Sequence, residues 1–378
     1  MTGRIDKISI WPRSGGDSGN RSQISVAGPS AGQIAKRIPL GDEMSTKGTG
    51  YIAGGAIAGD GSIRLVFGNQ LCALSPDGAV LWHRRLADYV VHEDSDESLE
   101  DENLEGSDEE DDREQRFFHS LPCIIDTANT LVTMPNTALI FDAQGEVVAQ
   151  TDIMLPDDSG PAPNYDLFGI PLLTNMDGSV YAWEQDGLKE LGRFGYDVVP
   201  VAMFDDNSFA VAGYSHTGLC RVRRDGSLVW QSDLEDADCL PTISHSQQVA
   251  VGSLNDELSM LFAPDGQTIG TYHKPAVFAA YLDEGWIALS KDALARLTST
   301  GQILWQHHIT SEMRWGSYQP IVDSSGSIFV VDGSQVVCFQ PDGHVHFRFD
   351  VGAVPGPLFP IREGMFGCVV GEHLIFVV

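Results

Sequence analysis

Basic residues are scarce in this sequence: Lys and Arg number 23 against 53 Asp and Glu, so the formal net charge is −30. A surface this acidic repels phosphate backbones and anionic lipids, so we expect no nucleic-acid partner and no membrane insertion. No segment approaches the roughly 18 consecutive apolar residues of a membrane-spanning helix. The first residues also lack the apolar segment of a secretory signal, and we therefore expect a cytoplasmic protein.

Cysteine motifs are lacking as well. The six cysteines are spread singly, with no Cys-x-x-Cys and no vicinal pair. Three of them, Cys72, Cys220 and Cys338, occupy nearly the same place in three copies of a repeated segment. We expect small buried side chains rather than disulfide partners, as is usual in a reducing compartment.

Glycine is abundant, and its positions mark a repeat. The segment Ala73–Trp82 (Ala-Leu-Ser-Pro-Asp-Gly-Ala-Val-Leu-Trp) predicts a β-hairpin whose tight turn needs a positive φ at glycine. Apolar residues lie six and four positions before each such glycine, which indicates a strand with one buried face. Once an acidic insertion is set aside, the turn glycines recur at intervals of about 40 residues. They are Gly78, Gly145, Gly187, Gly226, Gly266, Gly301 and Gly343.

Prolines that open apolar strands form a second series with the same period. In five cases the next turn glycine follows 23 to 26 residues later, which leaves room for three strands before the turn and a fourth after it. Four strands in about 40 residues are typical of a β-propeller blade. The prolines are Pro122, Pro171, Pro200, Pro241, Pro275, Pro320 and Pro357.

These series predict an all-β fold, an eight-bladed β-propeller, with seven blades as the alternative. Pro171 and Gly187 are only 16 residues apart, so we expect a short third blade of three strands, with Gly187 matching the earlier turn at Gly333. The last blade has room for only three strands, and an unpaired edge is a liability. We predict that Gln33–Leu40 supplies its fourth strand. In this interpretation residues 1–32 are an extended arm, and residues 33–378 form a single propeller domain with a disordered acidic insertion at about 90–116.

The hairpin resembles the tryptophan-docking repeat of quinoprotein-like propellers. That family includes pyrroloquinoline-quinone (PQQ) dehydrogenases and cofactor-free relatives of the BamB type. The family pattern Ala-x-Asp-x-x-Thr-Gly-Lys-x-x-Trp is matched best at Ala295, Thr300, Gly301 and Trp305, with Leu297 in place of the aspartate.

The opening of the chain resembles the family too, since Trp11-Pro12 and Asn20-Arg21-Ser22 look like its N-terminal segment. The family tryptophan packs flat between blades. The resemblance therefore implies a structural docking role, not a catalytic one, for Trp82, Trp230 and Trp305.

The acidic insertion, roughly Glu93–Glu114, holds fourteen Asp and Glu and one Arg. Such a block repels itself and buries little apolar surface, so we predict a disordered, solvated loop. The alternative is a tether for a basic partner. The candidate contact residues are Glu93, Asp94, Asp96, Glu97, Asp108, Glu109, Glu110, Asp111 and Asp112.

The sequence offers no catalytic, cofactor-binding or metal-binding constellation, and we predict a non-enzymatic scaffold with no cofactor. Its loops and acidic surface would bind an unidentified protein, and the charge favours a basic one. The alternative is a PQQ- or small-ligand-dependent oxidoreductase that uses the central channel, although the vicinal disulfide of many such dehydrogenases is absent. A lyase-type or sugar-active propeller is a third hypothesis, without candidate catalytic residues.

Overall fold

The computed structural model describes residues 9, 11–13, 16–40, 54–89, 120–134, 136–153, 163–175, 177–214, 218–282, 285–310 and 319–378. Nearly all regular structure in these ranges is β-strand, with one short 3-10 helix at Leu86–Tyr89. No helix in the described ranges is long and apolar enough to cross a membrane.

The strands form eight small antiparallel sheets, the blades, which are arranged in a ring. The first strand of the chain is β1 (Ile34–Pro39). Blade 1 then contains β2 (Gly54–Ile57), β3 (Ile63–Phe67), β4 (Gln70–Leu74) and β5 (Val80–Arg85). Blade 2 contains β6 (Cys123–Ile124), β7 (Thr130–Met134), β8 (Thr137–Phe141) and β9 (Val147–Asp152). Blade 3 contains β10 (Asn164–Tyr165), β11 (Pro171–Thr174), β12 (Ser179–Glu184) and β13 (Gly187–Arg193).

Blade 4 has a first strand in two pieces, since β14 and β15 both pair with β16. Its strands are β14 (Tyr196–Val198), β15 (Ala202–Met203), β16 (Phe209–Tyr214), β17 (Gly218–Val222) and β18 (Leu228–Gln231). Blade 5 contains β19 (Thr242–Ile243), β20 (Val249–Ser253), β21 (Leu258–Phe262) and β22 (Thr268–Tyr272). Blade 6 contains β23 (Val277–Ala280), β24 (Trp286–Leu289), β25 (Ala293–Leu297) and β26 (Ile303–His308).

Blade 7 contains β27 (Ile321–Val322), β28 (Ile328–Asp332), β29 (Gln335–Phe339) and β30 (Val345–Asp350), and blade 8 contains β31 (Phe359–Arg362), β32 (Met365–Val370) and β33 (His373–Val377). The eight-bladed prediction is therefore confirmed. In every blade the first strand is innermost, and first strands contact each other between blades 8 and 1, 1 and 2, 4 and 5, 5 and 6, and 6 and 7.

Blade 8 is completed by the other end of the chain. Strand β1 pairs antiparallel with β33, which gives the sheet order β1-β33-β32-β31. Gln33 and Val378 exchange two backbone hydrogen bonds of 3.1 and 3.0 Å where the other blades have a covalent turn. The prediction that Gln33–Leu40 closes the ring is confirmed, and closure removes the exposed edge that β33 would otherwise present.

Blade 3 corrects the sequence interpretation, because it has four strands and not three. Pro163, which precedes β10, is the proline that opens this blade, and it lies 24 residues before Gly187, within the spacing of the other repeats. Pro171 begins the second strand instead, where it pairs with Tyr165. The series was misread because a proline also opens β11, eight residues after the true repeat position.

The proposed match between Gly187 and Gly333 is wrong as well. Gly187 follows a two-residue turn between the third and fourth strands, whereas Gly333 lies between the second and third strands of its blade. In blade 3 the short turn lies between the third and fourth strands, and the longer turn, which ends at Gly178, lies between the second and third strands. Blade 7 has the opposite arrangement. The same short-turn sequence signal thus occurs at a different point of the blade.

All six cysteines are buried and free, as the sequence predicted. Burial raises the pKa of the Cys72 and Cys338 thiols to about 12 and that of Cys220 to about 11. Thiols that are buried and remain protonated are unreactive, so the native cysteines act as small core residues.

Because successive strands alternate in direction, the turns joining first to second and third to fourth strands share one face of the ring. We call this the turn face. The second-to-third hairpins and the connections between blades lie on the opposite face.

Candidate functional site: the plugged turn face

The N-terminal segment closes the central channel at the turn face. Residues 11–13 and 16–28, here called the plug, run across the inner ends of the first strands. Backbone N–H groups of seven blades donate hydrogen bonds to plug carbonyls over 2.7 to 3.2 Å. The donors are Ile57, Ile124, Met203, Ile243, Ala280, Val322, Ser324 and Gly364. These amides lie where first strands end and have no neighbouring strand on the channel side, so the plug satisfies groups that would otherwise need water.

Side chains of the plug complete its attachment. Arg13 Nε donates to the Pro163 carbonyl at 2.9 Å in blade 3, the one blade whose backbone amides do not reach the plug. Asn20 Nδ2 donates to the Pro241 carbonyl at 2.8 Å, and Ser22 Oγ to that of Pro320 at 2.6 Å. Pro241 and Pro320, two of the blade-opening prolines predicted from the sequence, thus also offer acceptors to the plug, as does Pro163 in blade 3.

Conformation and packing fix the course of the plug. Asn20 and Ser22 are buried at positive φ values of 55° and 51°, which few non-glycine residues adopt. Trp11 and Ile24 are buried at 3% and 2% exposure. At Gly28 a Cβ would lie 2.4 Å from the Phe329 ring, so only glycine allows this close approach. The sequence predicted an extended arm without regular structure, but it did not indicate that the arm is buried.

A cavity of about 410 Å³, here called the crater, opens at the centre of the turn face. Plug residues form its floor and one side, and turn residues of blades 5, 6 and 7 form the other side. Its lining consists of Ser9, Pro12, Gly16, Asp17, Arg21, Gln23, Ile24, Ser25, His245, Leu282 and Ser324.

The charged residues of the crater are paired with one another. The Asp17 carboxylate accepts a hydrogen bond from Arg21 Nη1 at 2.6 Å and others from the Gly19 and Arg21 amides. Arg21 Nη2 also lies 3.4 Å from Asp205 Oδ1, whose side chain is 49% exposed. The carboxylates of Asp17 and Asp205 thus both lie beside the Arg21 guanidinium.

The uncharged polar groups of the crater are less constrained. His245 Nε2 and Gln23 Oε1 lie 2.7 Å apart on one side. Ser25 and Ser324 are exposed, and neither hydroxyl is hydrogen-bonded to another described residue. Pro12, Ile24 and Leu282 supply apolar surface. The crater therefore combines available hydroxyl groups with an aliphatic floor.

Several turns around the crater use residues other than glycine in the left-handed region. Asn207, Gln247 and Leu282 have φ values of 65°, 64° and 43°. Two of these side chains join neighbouring blades: Asn207 Oδ1 accepts a hydrogen bond from the Leu167 amide, and Gln247 Oε1 accepts one from the Asp205 amide. The bonds between blades compensate the backbone strain and stiffen the turn face.

Further out, the third-to-fourth turns display exposed aspartates. They are Asp77, Asp225, Asp265 and Asp342. Hydrogen bonds from Ser227 lower the pKa of Asp225, and those from His344 lower the pKa of Asp342. These carboxylates accept hydrogen bonds within their own turns, so the sequence repeat itself places negative charge around the rim.

The three predicted docking tryptophans lie on outer strands and contact the next blade. Trp230 Nε1 donates to the Pro264 carbonyl at 3.0 Å, and Trp305 Nε1 to that of Pro341 at 3.1 Å. Their rings lie against Gly266 and Gly343, where a Cβ would approach within 3 Å. Trp82 makes the equivalent contacts with Ala143, at 2.7 Å, and Gly145. All three therefore lie far from the channel, between blades.

The acidic residues named from the insertion, from Glu93 to Asp112, lie outside the described residues. Within the described ranges, no three His, Cys, Asp or Glu side chains surround a common metal position. The plug and crater residues Arg13, Gln23, Ser25, His245 and Ser324 were not identified from the sequence. The resemblance of Trp11-Pro12 and Asn20-Arg21-Ser22 to a family segment was the available signal, since these residues meet only through the fold.

The sequence and the structure are similar to those of known β-propellers. Residues 176–345 match the family model described as "Outer membrane protein assembly factor BamB". The structure of BamB from Moraxella catarrhalis is 11% identical, with a TM-score of 0.56 over 92% of this chain and 99% of that one. A streptogramin B lyase structure is also 11% identical, with a TM-score of 0.49 over 66% of this chain and 90% of that one. No curated protein matches the chain. The BamB likeness shows the fold alone, and the lyase likeness is too weak to support an argument.

Proposed function

Because this chain is a PQQ-like β-propeller, we propose that it is a non-enzymatic scaffold that binds a basic protein partner through its turn face. The family model that matches residues 176–345 is described as an outer membrane protein assembly factor. For this chain we propose partner binding in that general sense, without assigning the same partner.

The observation that carries the proposal is the plug. The chain's own residues fill the turn-side mouth of the channel, hydrogen-bonded to all eight blades. The surface left for recognition is therefore the broad face around the plug, with its ring of exposed aspartates. A rigid disc with charged turns supports binding of a macromolecule of opposite charge.

The alternative, a quinone-dependent oxidoreductase, is less well supported. A planar quinone would need aromatic rings on which to stack, but the described residues that line the crater include no Phe, Tyr or Trp. The docking tryptophans are engaged between outer strands and adjacent turns. The residues at this end of the channel do not fit PQQ.

Location remains part of the proposal. Six buried free thiols favour a reducing compartment, and we propose the cytoplasm. Fractionation of the source cells, with immunodetection of the chain in each fraction, tests this.

Two matched variants test the role of the turn face. The first neutralises four turn-face carboxylates and retains their hydrogen-bond acceptors: Asp77→Asn, Asp225→Asn, Asp265→Asn and Asp342→Asn. The second removes the same charge from exposed residues of the opposite face: Asp233→Asn, Glu235→Gln, Glu257→Gln and Asp350→Asn. Both variants change the net charge by four, so only the position of the change differs.

The immobilised wild-type chain and the variants are exposed to source-cell extract, and bound proteins are identified and quantified. We expect a specific basic protein on the wild type, retained by the opposite-face variant and reduced at least about tenfold on the turn-face variant. Its binding should weaken between about 0.05 and 0.5 M salt. Equal loss with both variants, or binding insensitive to both, would contradict the proposal.

A further inference from the structure

We propose that the crater receives the tip of a lysine- or arginine-containing loop of the partner protein. This inference rests on the proposed function and assigns a specific pocket to it. The residues that carry it are the free hydroxyls of Ser25 and Ser324, the aliphatic floor, and the exposed carboxylate of Asp205.

The crater suits a peptide segment rather than a single ion. Its volume of about 410 Å³ lies within the range of pockets that enclose small molecules, about 300 to 1,000 Å³. The serine hydroxyls can donate to peptide carbonyls or accept from peptide amides. Leu282, which is half-buried, provides apolar surface for an aliphatic stem. A pocket with a few convergent polar groups on apolar surface is the usual form of a binding site.

The electrostatics select a basic loop. Arg21 lies deep in the crater wall with 9% side-chain exposure and is engaged by Asp17, whereas the Asp205 side chain is 49% exposed. A lysine or arginine entering beside Arg21 would therefore meet the more accessible carboxylate of Asp205. An acidic loop would meet two carboxylates and only one buried guanidinium, so its binding is disfavoured.

One turn at the crater wall holds a non-glycine residue in the left-handed backbone region. Leu282 holds a φ of 43°, a conformation that costs a non-glycine residue about 1 to 2 kcal/mol. The leucine keeps apolar surface on the crater wall that glycine would not supply, and strained residues of this kind cluster at binding sites.

The buried native cysteines make a site-specific test possible, because an introduced surface thiol is then the reactive one. Ser25→Cys exchanges one of the two crater hydroxyls for a thiol, which is itself a weak donor and acceptor, and leaves Ser324 and Asp205 in place. Ser30→Cys places a thiol on an exposed arm residue outside the crater. The rate of modification by a thiol reagent is measured with and without a capped hexapeptide of alternating glycine and lysine. The same hexapeptide with glutamate in place of lysine is the charge control.

We expect the lysine peptide to slow modification of the Ser25→Cys variant about threefold at a concentration of twice its dissociation constant. The Ser30→Cys variant should be unaffected, and the glutamate peptide should have no effect on either. Adding Asp205→Asn to Ser25→Cys should abolish most of the protection.

Equal protection of both thiols, or protection by both peptides, would overturn the crater assignment, because it would indicate general attraction or nonspecific binding. Absence of protection by the lysine peptide would overturn it too. The proposed function is judged separately: if the turn-face variant still loses the partner while the crater thiol is unprotected, partner binding stands and the crater assignment fails.

Discussion

Removing the plug should destabilise the whole ring, although the plug contains no strand. Deletion of residues 1–32 removes the acceptors of eight backbone N–H groups spread over seven blades. A buried hydrogen bond contributes about 0.5 to 1.5 kcal/mol net. Trp11 and Ile24 lose buried contacts worth about 1.5 to 3 kcal/mol each.

Together these losses amount to about 7 to 18 kcal/mol, the lower value applying if water replaces the plug in the channel mouth. The unfolding entropy is about 2.1 cal/mol/K per residue, so in a chain of 378 residues 1 kcal/mol corresponds to about 1.3 °C in Tm. We therefore expect Tm to fall by about 9 to 23 °C.

A second deletion, of residues 1–42, also removes β1 and should be more severe. It exposes the edge of β33 and removes the buried Ile38 and Leu40, a further loss of about 3 to 6 kcal/mol. Because the ring is then open, the single melting transition should broaden or split.

Calorimetry of both deletions, with a deletion of residues 1–8 as the control, measures these effects. The control retains the whole plug and should melt within about 2 °C of the full chain. A deletion of residues 1–32 that melts within that same interval would refute the role of the plug. Equal melting of the two longer deletions would refute the role of β1.

Three further predictions concern single residues. Trp230→Ala should lower the free energy of unfolding in urea by about 3 kcal/mol, the low end of the range for large aromatic truncations, because the ring is half-buried. A loss below about 1 kcal/mol would contradict the docking role. Val229→Ala, which changes an exposed neighbour, is the control. Burial raises the pKa of the Asp238 carboxyl above its usual 3.8, and Asp236 adds to the effect, so the wild type loses stability as pH rises through the folded-state pKa. Asp238→Asn should therefore have a higher Tm than the wild type at neutral pH, and the two Tm values should converge below about pH 4. A difference in Tm that does not change with pH would count against this cause. Gln247→Gly should be more stable than Gln247→Ala by about 1 kcal/mol. Both variants lose the hydrogen bond to the Asp205 amide, but only alanine keeps the strain of a backbone at positive φ. Chemical unfolding that ranks the two variants in the opposite order would refute the strain argument.

The fold could be predicted because the information lies in short, repeated segments. Each turn glycine adopts a positive φ next to alternating apolar residues, so the hairpin around Gly78 or Gly343 is visible without knowledge of the rest of the chain. The closing strand was predictable for a related reason, since three strands after Pro357 leave an edge that needs a partner. Blade 3 was misjudged because Pro163 and Pro171 are both local signals, and only strand pairing distinguishes a first strand from a second.

The candidate site could not be predicted in the same way. Arg13, His245 and Ser324 are far apart in sequence, and none belongs to a motif. They come together because the plug crosses the ends of first strands from every blade. In the sequence alone, the polar residues of the plug are indistinguishable from those of a solvated segment.

The sequence by itself determined the repeat, the burial of the cysteines and the excess of negative charge, and it favoured eight blades over seven, because periodic spacing and composition are local properties of the chain. Only the tertiary structure decided that the N-terminal segment fills the channel and that a crater forms above it. Those features depend on unpaired amides that appear at the channel mouth only once eight sheets have closed into a ring.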